Sequence, residues 1–255
     1  MIKSFDSSPS QTSDWSSPIK IYATSDLHLA ISTPTKEMSR FGSVWENHTQ
    51  KIQEGWKHVG PSDIVIIAGD ISWSSNINKC REDLDFIEAL PGKKILTIGN
   101  HDFWHQTATK TNEHLFDNYR TMVVLTANDY FNLHDQVAIC SVKGYMNETH
   151  PEFKDEYRKG YSKECTKLEN TLKIIPSVFT TRILVSHYPP VHKSYHEGDN
   201  QILKVMQTYS VSKCIYGHLH GKESNEAYTG IHSGIDFMFV AADSFNFTPL
   251  LVSEI

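Results

Sequence analysis

Five short apolar runs, each delivering a metal-capable side chain at or just past its end, limit what this chain can fold into more than any other feature. They read IKIYATS (19–25), DIVIIAG (63–69), KKILTIG (93–99), TRILVSH (181–187) and VSKCIYG (211–217). Each is short, β-branched and almost continuously apolar, the mark of a strand covered on both faces. Between them lie helical patterns. Ile77, Cys80, Leu84, Ile87 and Leu90 recur at three- and four-residue steps, and Pro91-Gly92 ends that run. Phe153, Tyr157, Tyr161, Cys165, Leu168 and Leu172 trace a second stripe, which breaks near Gly160; its balanced charges read as a solvated face. Later, IDFMFVAADSFNF (235–247) and PLLVSEI (249–255) read as antiparallel strands closing a second sheet. Strands alternating with helices, then further strands, predict a layered α/β architecture with mixed sheets. No repeat or linker divides the chain, so residues 18–255 are expected to form one domain. The serine-rich residues 1–17 are expected to be a flexible lead-in.

The chemistry stands at the strand ends. The first run leads into SDLHLA with Asp26 and His28, the second into GDISW with Asp70, and the third into GNHDFW with Asn100, His101 and Asp102. The fourth ends in SHYPP with His187, and the fifth in GHLHG with His218 and His220. In open α/β sheets ligands bind at the carboxyl ends of strands, so these residues can converge although distant in sequence. In an extended segment residues i and i+2 point the same way, which would aim Asp26 with His28, and His218 with His220, at one centre. Glycines before Asp70, Asn100 and His218 leave room for tight turns there. Singly each block is commonplace: an aspartate after a strand often caps a helix, and a lone His-x-His is more often structural. Five in order, each at a strand end, are not explained by chance. Carboxylate, imidazole and amide oxygen without thiolate suit Mn²⁺, Fe or Zn²⁺, with Co²⁺ or Ni²⁺ as substitutes in vitro. A water shared by two such ions loses a proton near neutral pH and becomes a nucleophile.

Composition narrows the function. The formal charge of −6 argues against broad electrostatic binding to nucleic acid, whereas 14 histidines exceed what structure alone requires. Four cysteines stand apart with no CxxC pair, which points to reduced thiols and the cytoplasm. No apolar stretch approaches the roughly 20 residues of a membrane span.

The ordered blocks DxH, GD, GNHD, H and GHxH, spanning residues 26–220, resemble the pattern of the calcineurin-like metallophosphoesterases. The resemblance implies a four-layer α/β/β/α sandwich with two mixed β-sheets and two divalent metal ions. It implies that Asp26, His28, Asp70 and His220 hold one ion and that Asp70, Asn100, His187 and His218 hold the other, with Asp70 bridging. His101 is then the catalytic residue beside the site, protonating the leaving oxygen or steadying the phosphoryl oxygens as a metal-bridging hydroxide attacks. For Asp102, capping the following helix is favoured over orienting a neighbour.

The second block departs from the protein phosphatases of that superfamily. They carry GDxVDRG; here GDISWSS puts Trp73 where their acid stands and supplies no arginine. A phosphoprotein substrate is therefore disfavoured. Trp73 reads equally as a wall beside the cluster or as core at a helix start. A branch of bacterial predicted phosphohydrolases is more similar, sharing GDISW, GNHD followed by an aromatic and Trp, and a terminal strand like VAADSFNFTPLLV; it brings no settled substrate. Substrate choice then falls to loops 145–161 and 189–200, which carry His150, Arg158, Lys159, His192, Lys193 and His196. The expected activity is hydrolysis of a phosphomonoester or phosphodiester in a small phosphorylated molecule. A nuclease or nucleotide pyrophosphatase, and a non-catalytic metal-binding scaffold, are the alternatives. His101 and all seven ligand positions are present, which favours the enzyme.

Overall fold

Each of the seven anticipated strands forms in the computed structural model, which describes residues 18–134, 136–194 and 200–255. The lead-in 1–17 and His196 lie outside the described residues. In chain order the elements are β1 (Lys20–Thr24), α1 (His48–Gly55), β2 (Ile64–Ala68), α2 (Arg81–Ala89), β3 (Lys93–Thr97), α3 (Ala108–Asn118), β4 (Met122–Val124) and β5 (Tyr130–His134). There follow β6 (Val137–Val142), α4 (Asp155–Lys173), β7 (Thr181–Ser186), α5 (Gln201–Thr208), β8 (Lys213–Tyr216), β9 (Gly230–His232), β10 (Ile235–Phe239) and β11 (Leu250–Glu254).

The strands form two mixed sheets, in the orders β11-β1-β2-β3-β4 and β5-β6-β7-β8-β10-β9. In the first, β1 to β4 run parallel and β11 is antiparallel to β1. In the second, β6, β7, β8 and β10 run parallel, flanked by antiparallel β5 and β9.

Strand alternation explains the layers. Ile21, Ala23, Ile64, Ile66 and Ile95 share a core with Ile139, Ile183, Val185 and Ile215 of the other sheet. Their neighbours Tyr22, Val65, Ile67 and Leu96 face away, against Ile52, Trp56, Leu84, Ile87 and Leu115 from α1 to α3. Ala138, Cys140, Leu184 and Cys214 likewise meet Cys165, Leu168, Leu172, Ile202 and Met206 from α4 and α5. The result is an α/β/β/α sandwich. Both faces of each central strand are buried, which is why those runs are apolar throughout. Full burial of each such side chain contributes about 1.5–3 kcal/mol.

Two expectations need correction. The late strands do not close one sheet together as antiparallel partners. β10 joins the second sheet parallel to β8, while β11 pairs with the open edge of β1, where Lys20 faces Glu254 and Val252 enters the inter-sheet core. Nor does Gly160 interrupt the long helix, for α4 passes straight through it. A Cβ at Gly160 would run into the ring of Tyr145, so this glycine serves close packing. No helix of the described residues is long and apolar enough to cross a membrane.

Candidate metal centre

The carboxyl ends of β1, β2 and β3 open onto the same edge as those of β7 and β8. Backbone bonds stitch the sheets together there: Ser25 N–H donates to Val240 O (3.0 Å) and Ala242 N–H to Ser25 O (3.1 Å). The loop after β1 also rides on the loop after β2, with Asp26 N–H donating to Gly69 O (2.9 Å) and His28 N–H to Asp70 O (3.0 Å). Segments far apart in sequence therefore converge at one point.

Convergence does not come from extended alternation as expected. Asp26, His28, Asp70 and His218 have φ of 58°, 44°, 52° and 74°. Side chains other than glycine rarely adopt this left-handed region, and each instance costs about 1–3 kcal/mol. The loops curl around the centre instead of running past it. Curling needs close approach. A Cβ on Gly99 would overlap the Asp70 carboxylate, and one on Gly217 would overlap Ser25 and Asp26.

All seven candidate ligands meet here. The ligand atoms of Asp26, His28 and His220 lie within 4.8 Å of one another, as do those of Asp26, Asp70 and His187. His220 Nε2 is 3.2 Å from Asp26 Oδ1 and 3.4 Å from His28 Nε2. His187 Nε2 is 2.9 Å from Asn100 Oδ1, 3.3 Å from Asp70 Oδ2 and 3.3 Å from His218 Nδ1. Asp70 Oδ2 is also 3.9 Å from His28 Nε2, so Asp70 stands between the two groups. His218 and His220 thus belong to opposite sides of the cluster.

The outer nitrogens fix which atoms point inward. His187 Nδ1–H donates to Ala68 O (3.0 Å), and His220 Nδ1–H donates to Asp243 Oδ1 (2.9 Å). Each ring then turns Nε2 toward carboxylate or amide oxygens. Acceptor lone pairs facing one another need a cation between them, a proton or a metal. The donor set of carboxylate, imidazole and amide oxygen, with all four cysteines buried elsewhere, fits a borderline-hard divalent metal.

Without metal, protons fill that role. Burial opposes a charge on His187, but Asp70 and Asp26 outweigh it and push the imidazole up to about 9. Burial opposes His220 likewise, and Asp26 and Asp243 push it up to about 10. Burial brings His28 down to about 4 and His218 down to about 3, leaving both neutral. Burial works against ionising Asp26 and Asp70 as well, yet the neighbouring imidazoles hold both below their ordinary 3.8.

The linkage has a definite sign. Stability from the two raised histidines is complete below their ordinary 6.5 and disappears as pH rises through about 9 to 10. Stability from the two lowered carboxylates is present above 3.8 and disappears as pH falls below it. His28 and His218, held neutral by burial, take stability away as pH falls below 6.5, so the metal-free protein is expected to be most stable near pH 6.5. Because His187 and His220 must lose protons to act as ligands, Mn²⁺ binding at pH 7 should release about two protons. Calorimetry in buffers of different ionisation enthalpy measures that number. Zero release would mean that both rings are already neutral at pH 7 in the metal-free protein.

Three residues have roles that differ from, or sharpen, the sequence reading. Asp102 does not cap the following helix; the Thr107 side chain caps α3. The buried Asp102 carboxylate instead accepts the N–H groups of Gly99, Asp70 and Ile71 (each 2.8 Å), Ser72 (3.3 Å) and the Trp104 indole (2.8 Å). It clamps the loop after β2 to the loop after β3. Trp73 is a wall of the site, stacked on His28 at 5.1 Å and tilted over His101 at 4.5 Å. His101 donates its backbone N–H to Asp70 Oδ1 (2.8 Å), and its ring, 39% exposed, lies 4.0 Å from Asp70 Oδ2 on the solvent side.

Sequence reasoning missed Asp243 and Tyr188. Asp243 orients His220, and it too follows a strand, β10, so the strand-end rule could have found it. The Tyr188 ring lies 4.0 Å from that of His218. Of the loop candidates, His150 and His192 line a cavity of about 260 Å³ beside His218. Arg158 is engaged by Asp155 (3.1 Å) and Glu148 (3.7 Å), and Lys159 and Lys193 are exposed.

A family model described as calcineurin-like phosphoesterase matches residues 19–222. The Gene 66 protein of Mycobacterium phage D29 is 34% identical over 86 residues, 33% of this chain and 41% of the phage protein. Its counterpart in Mycobacterium phage L5 is 36% identical over 83 residues, 32% of this chain and 39% of that one. The chain therefore spans about two fifths of the length of the curated relatives it matches. Among solved structures, phosphopantetheinyl hydrolase (PptH) from Mycobacterium tuberculosis superposes with a TM-score of 0.54 at 14% identity, covering 92% of this chain and 96% of that one. That likeness is one of fold.

Proposed function

The chain belongs to the calcineurin-like phosphoesterase family, and on that premise we propose that it is a metal-dependent phosphoesterase acting on a small phosphorylated molecule. The observation that carries the reading is the meeting of seven acceptor side chains from five strand ends, with inward nitrogens fixed by Ala68 O and Asp243. Asp26, His28, Asp70 and His220 would hold one ion, and Asp70, Asn100, His187 and His218 a second, with Asp70 shared. Mn²⁺, Fe²⁺/Fe³⁺ or Zn²⁺ suits these donors. Such a pair supplies a water of lowered pKa as nucleophile and a Lewis-acid contact for the phosphoryl oxygens.

The chain's own residues do the rest. His101, anchored through its backbone to Asp70 and open to solvent at its ring, is positioned to donate a proton to the leaving oxygen. Trp73 packs over that ring and limits its rotation. Tyr188 and Trp73 flank the centre on the sides of His218 and His28, bounding where a phosphoryl group enters. Residues 18–255 act as one catalytic unit in this reading. Four free, buried cysteines suit a reducing compartment such as the cytoplasm.

The test is hydrolysis of p-nitrophenyl phosphate against bis-p-nitrophenyl phosphate with Mn²⁺, for wild type and His101→Ala. The variant is expected to lose about 10²–10⁴-fold in kcat with its metal content unchanged. An unchanged kcat would remove the role given to His101. No turnover of either compound with Mn²⁺, Fe²⁺ or Zn²⁺, together with no retained metal, would overturn the reading.

A further inference from the structure

We infer that the cavity beside His218 receives the alcohol portion of the ester, and that it favours an alcohol carrying an amine over one carrying a carboxylate or a second phosphate. This inference rests on the phosphoesterase reading. The cavity, of about 260 Å³, reaches the metal centre directly, because His218 and Tyr188 are among its lining residues. The Tyr188 ring packs at 4.0 Å on the ring of His218, so one aromatic wall serves both spaces. An ester whose phosphoryl group sits at the metal centre can extend its alcohol portion into this cavity.

Charge decides what it accepts. Glu152, Glu223 and Glu226 line the cavity, and among the described lining residues there is no lysine or arginine. His150 and His192 complete its polar rim, their rings 5.3 Å apart. Burial and the neighbouring His150 bring His192 down to about 4, so it adds no positive charge at neutral pH. Glu226, half-buried, accepts the Ser194 hydroxyl at 2.5 Å, which holds its carboxylate in place. Carboxylates beside an aromatic face attract an ammonium group and repel an anion. The volume falls below the roughly 300–1,000 Å³ of sites for drug-sized ligands, which suits a small alcohol better than a nucleoside. The metal centre itself takes the phosphoryl charge. The cavity therefore separates substrates by the charge on the other end.

The experiment compares esters that differ only in that end. With the full Mn²⁺-loaded chain, kcat/KM is measured for phosphoethanolamine and phosphocholine against 3-phosphoglycerate, with p-nitrophenyl phosphate as a general indicator of turnover. An advantage of at least about tenfold for the amine esters is expected. Glu226→Lys should reduce that ratio below one, and Glu223→Gln, at an exposed position, should lower it while keeping the fold. A second readout needs no turnover: calorimetric binding of free choline against free glycerate, with choline preferred by wild type and not by Glu226→Lys. Turnover of p-nitrophenyl phosphate with no preference among the three esters would overturn the subsite and leave the phosphoesterase reading standing. Choline binding that depends on Glu226, with no ester hydrolysed, would keep the subsite as a cation site and sink the phosphoesterase reading. Neither binding nor turnover would overturn both.

Discussion

Asp70→Asn is expected to lose at least about 10³-fold in kcat/KM and most of its bound metal, although the side chain keeps its size. Altering a group that merely orients a ligand costs about 10–100-fold in metal affinity, so a ligand shared by two ions must cost more. Among the seven candidate ligands only Asp26 and Asp70 carry negative charge, set against two divalent ions. Removing one leaves a single carboxylate in a buried site, where charge imbalance is poorly screened. Asp70 also has close neighbours to lose: Oδ2 faces His187, His28 and His101 at 3.3, 3.9 and 4.0 Å, and Oδ1 accepts the His101 N–H. An amide nitrogen at Oδ1 would confront that N–H, and at Oδ2 it would bring two hydrogens toward the metal side of His187. Elemental analysis with steady-state kinetics tests this. A variant that retains two ions and near wild-type turnover would remove Asp70 from its bridging role.

That site was legible because of a property of buried parallel strands. Such strands are apolar on both faces, so a polar side chain at the end of each stands out, and the carboxyl ends of parallel strands share one edge. Asp26, Asp70, Asn100, His187 and His218 were readable on that basis. β6, VAICSV, is as apolar as the others, but it leads into Lys143 and Gly144 and so carried no chemical flag. Pairings across the chain were not readable either. β11 joins β1 through contacts such as Lys20 with Glu254, and no local pattern distinguishes that edge from an edge of the second sheet.

Local backbone shape was the harder matter. DLH and HLH read as extended pairs because alternation is the default geometry of a strand end. The sequence held no sign that Asp26, His28 and His218 are left-handed, since that conformation is imposed by tertiary bonds such as His28 N–H to Asp70 O and His218 N–H to Asp26 Oδ2 (2.9 Å). Asp102 misled for the same reason. An aspartate shortly before a helix is a common cap, but three of its five donors lie about 30 residues upstream, beyond any local rule.

Those five donors make Asp102 the position of greatest expected effect on stability. Asp102→Ala is expected to destabilise the metal-free protein by about 3–5 kcal/mol, because each buried donor left without an acceptor costs about 1–3 kcal/mol. Every donor it serves is buried or tied to buried backbone, so water cannot replace the lost carboxylate without opening the loops. Asp102→Asn separates the contributions. Oδ1 accepts from Ile71, Ser72 and Trp104, and Oδ2 from Gly99 and Asp70. The amide should keep its oxygen on the three-donor side and turn its nitrogen toward Gly99 and Asp70, setting donor against donor there. Asn is therefore expected to retain part of the stability while loosening the contact between the two loops that carry Asp70 and Asn100. Denaturant unfolding with chelator present isolates the structural effect, because metal loss cannot then contribute. Metal affinity measured separately should fall in Asp102→Asn even though the side chain contacts none of the ligand atoms that face the metal centre. If Asp102→Ala unfolds at the wild-type midpoint, the two loops are held by their glycine-backed packing alone. The shape of the site would then depend on sterics rather than on this carboxylate.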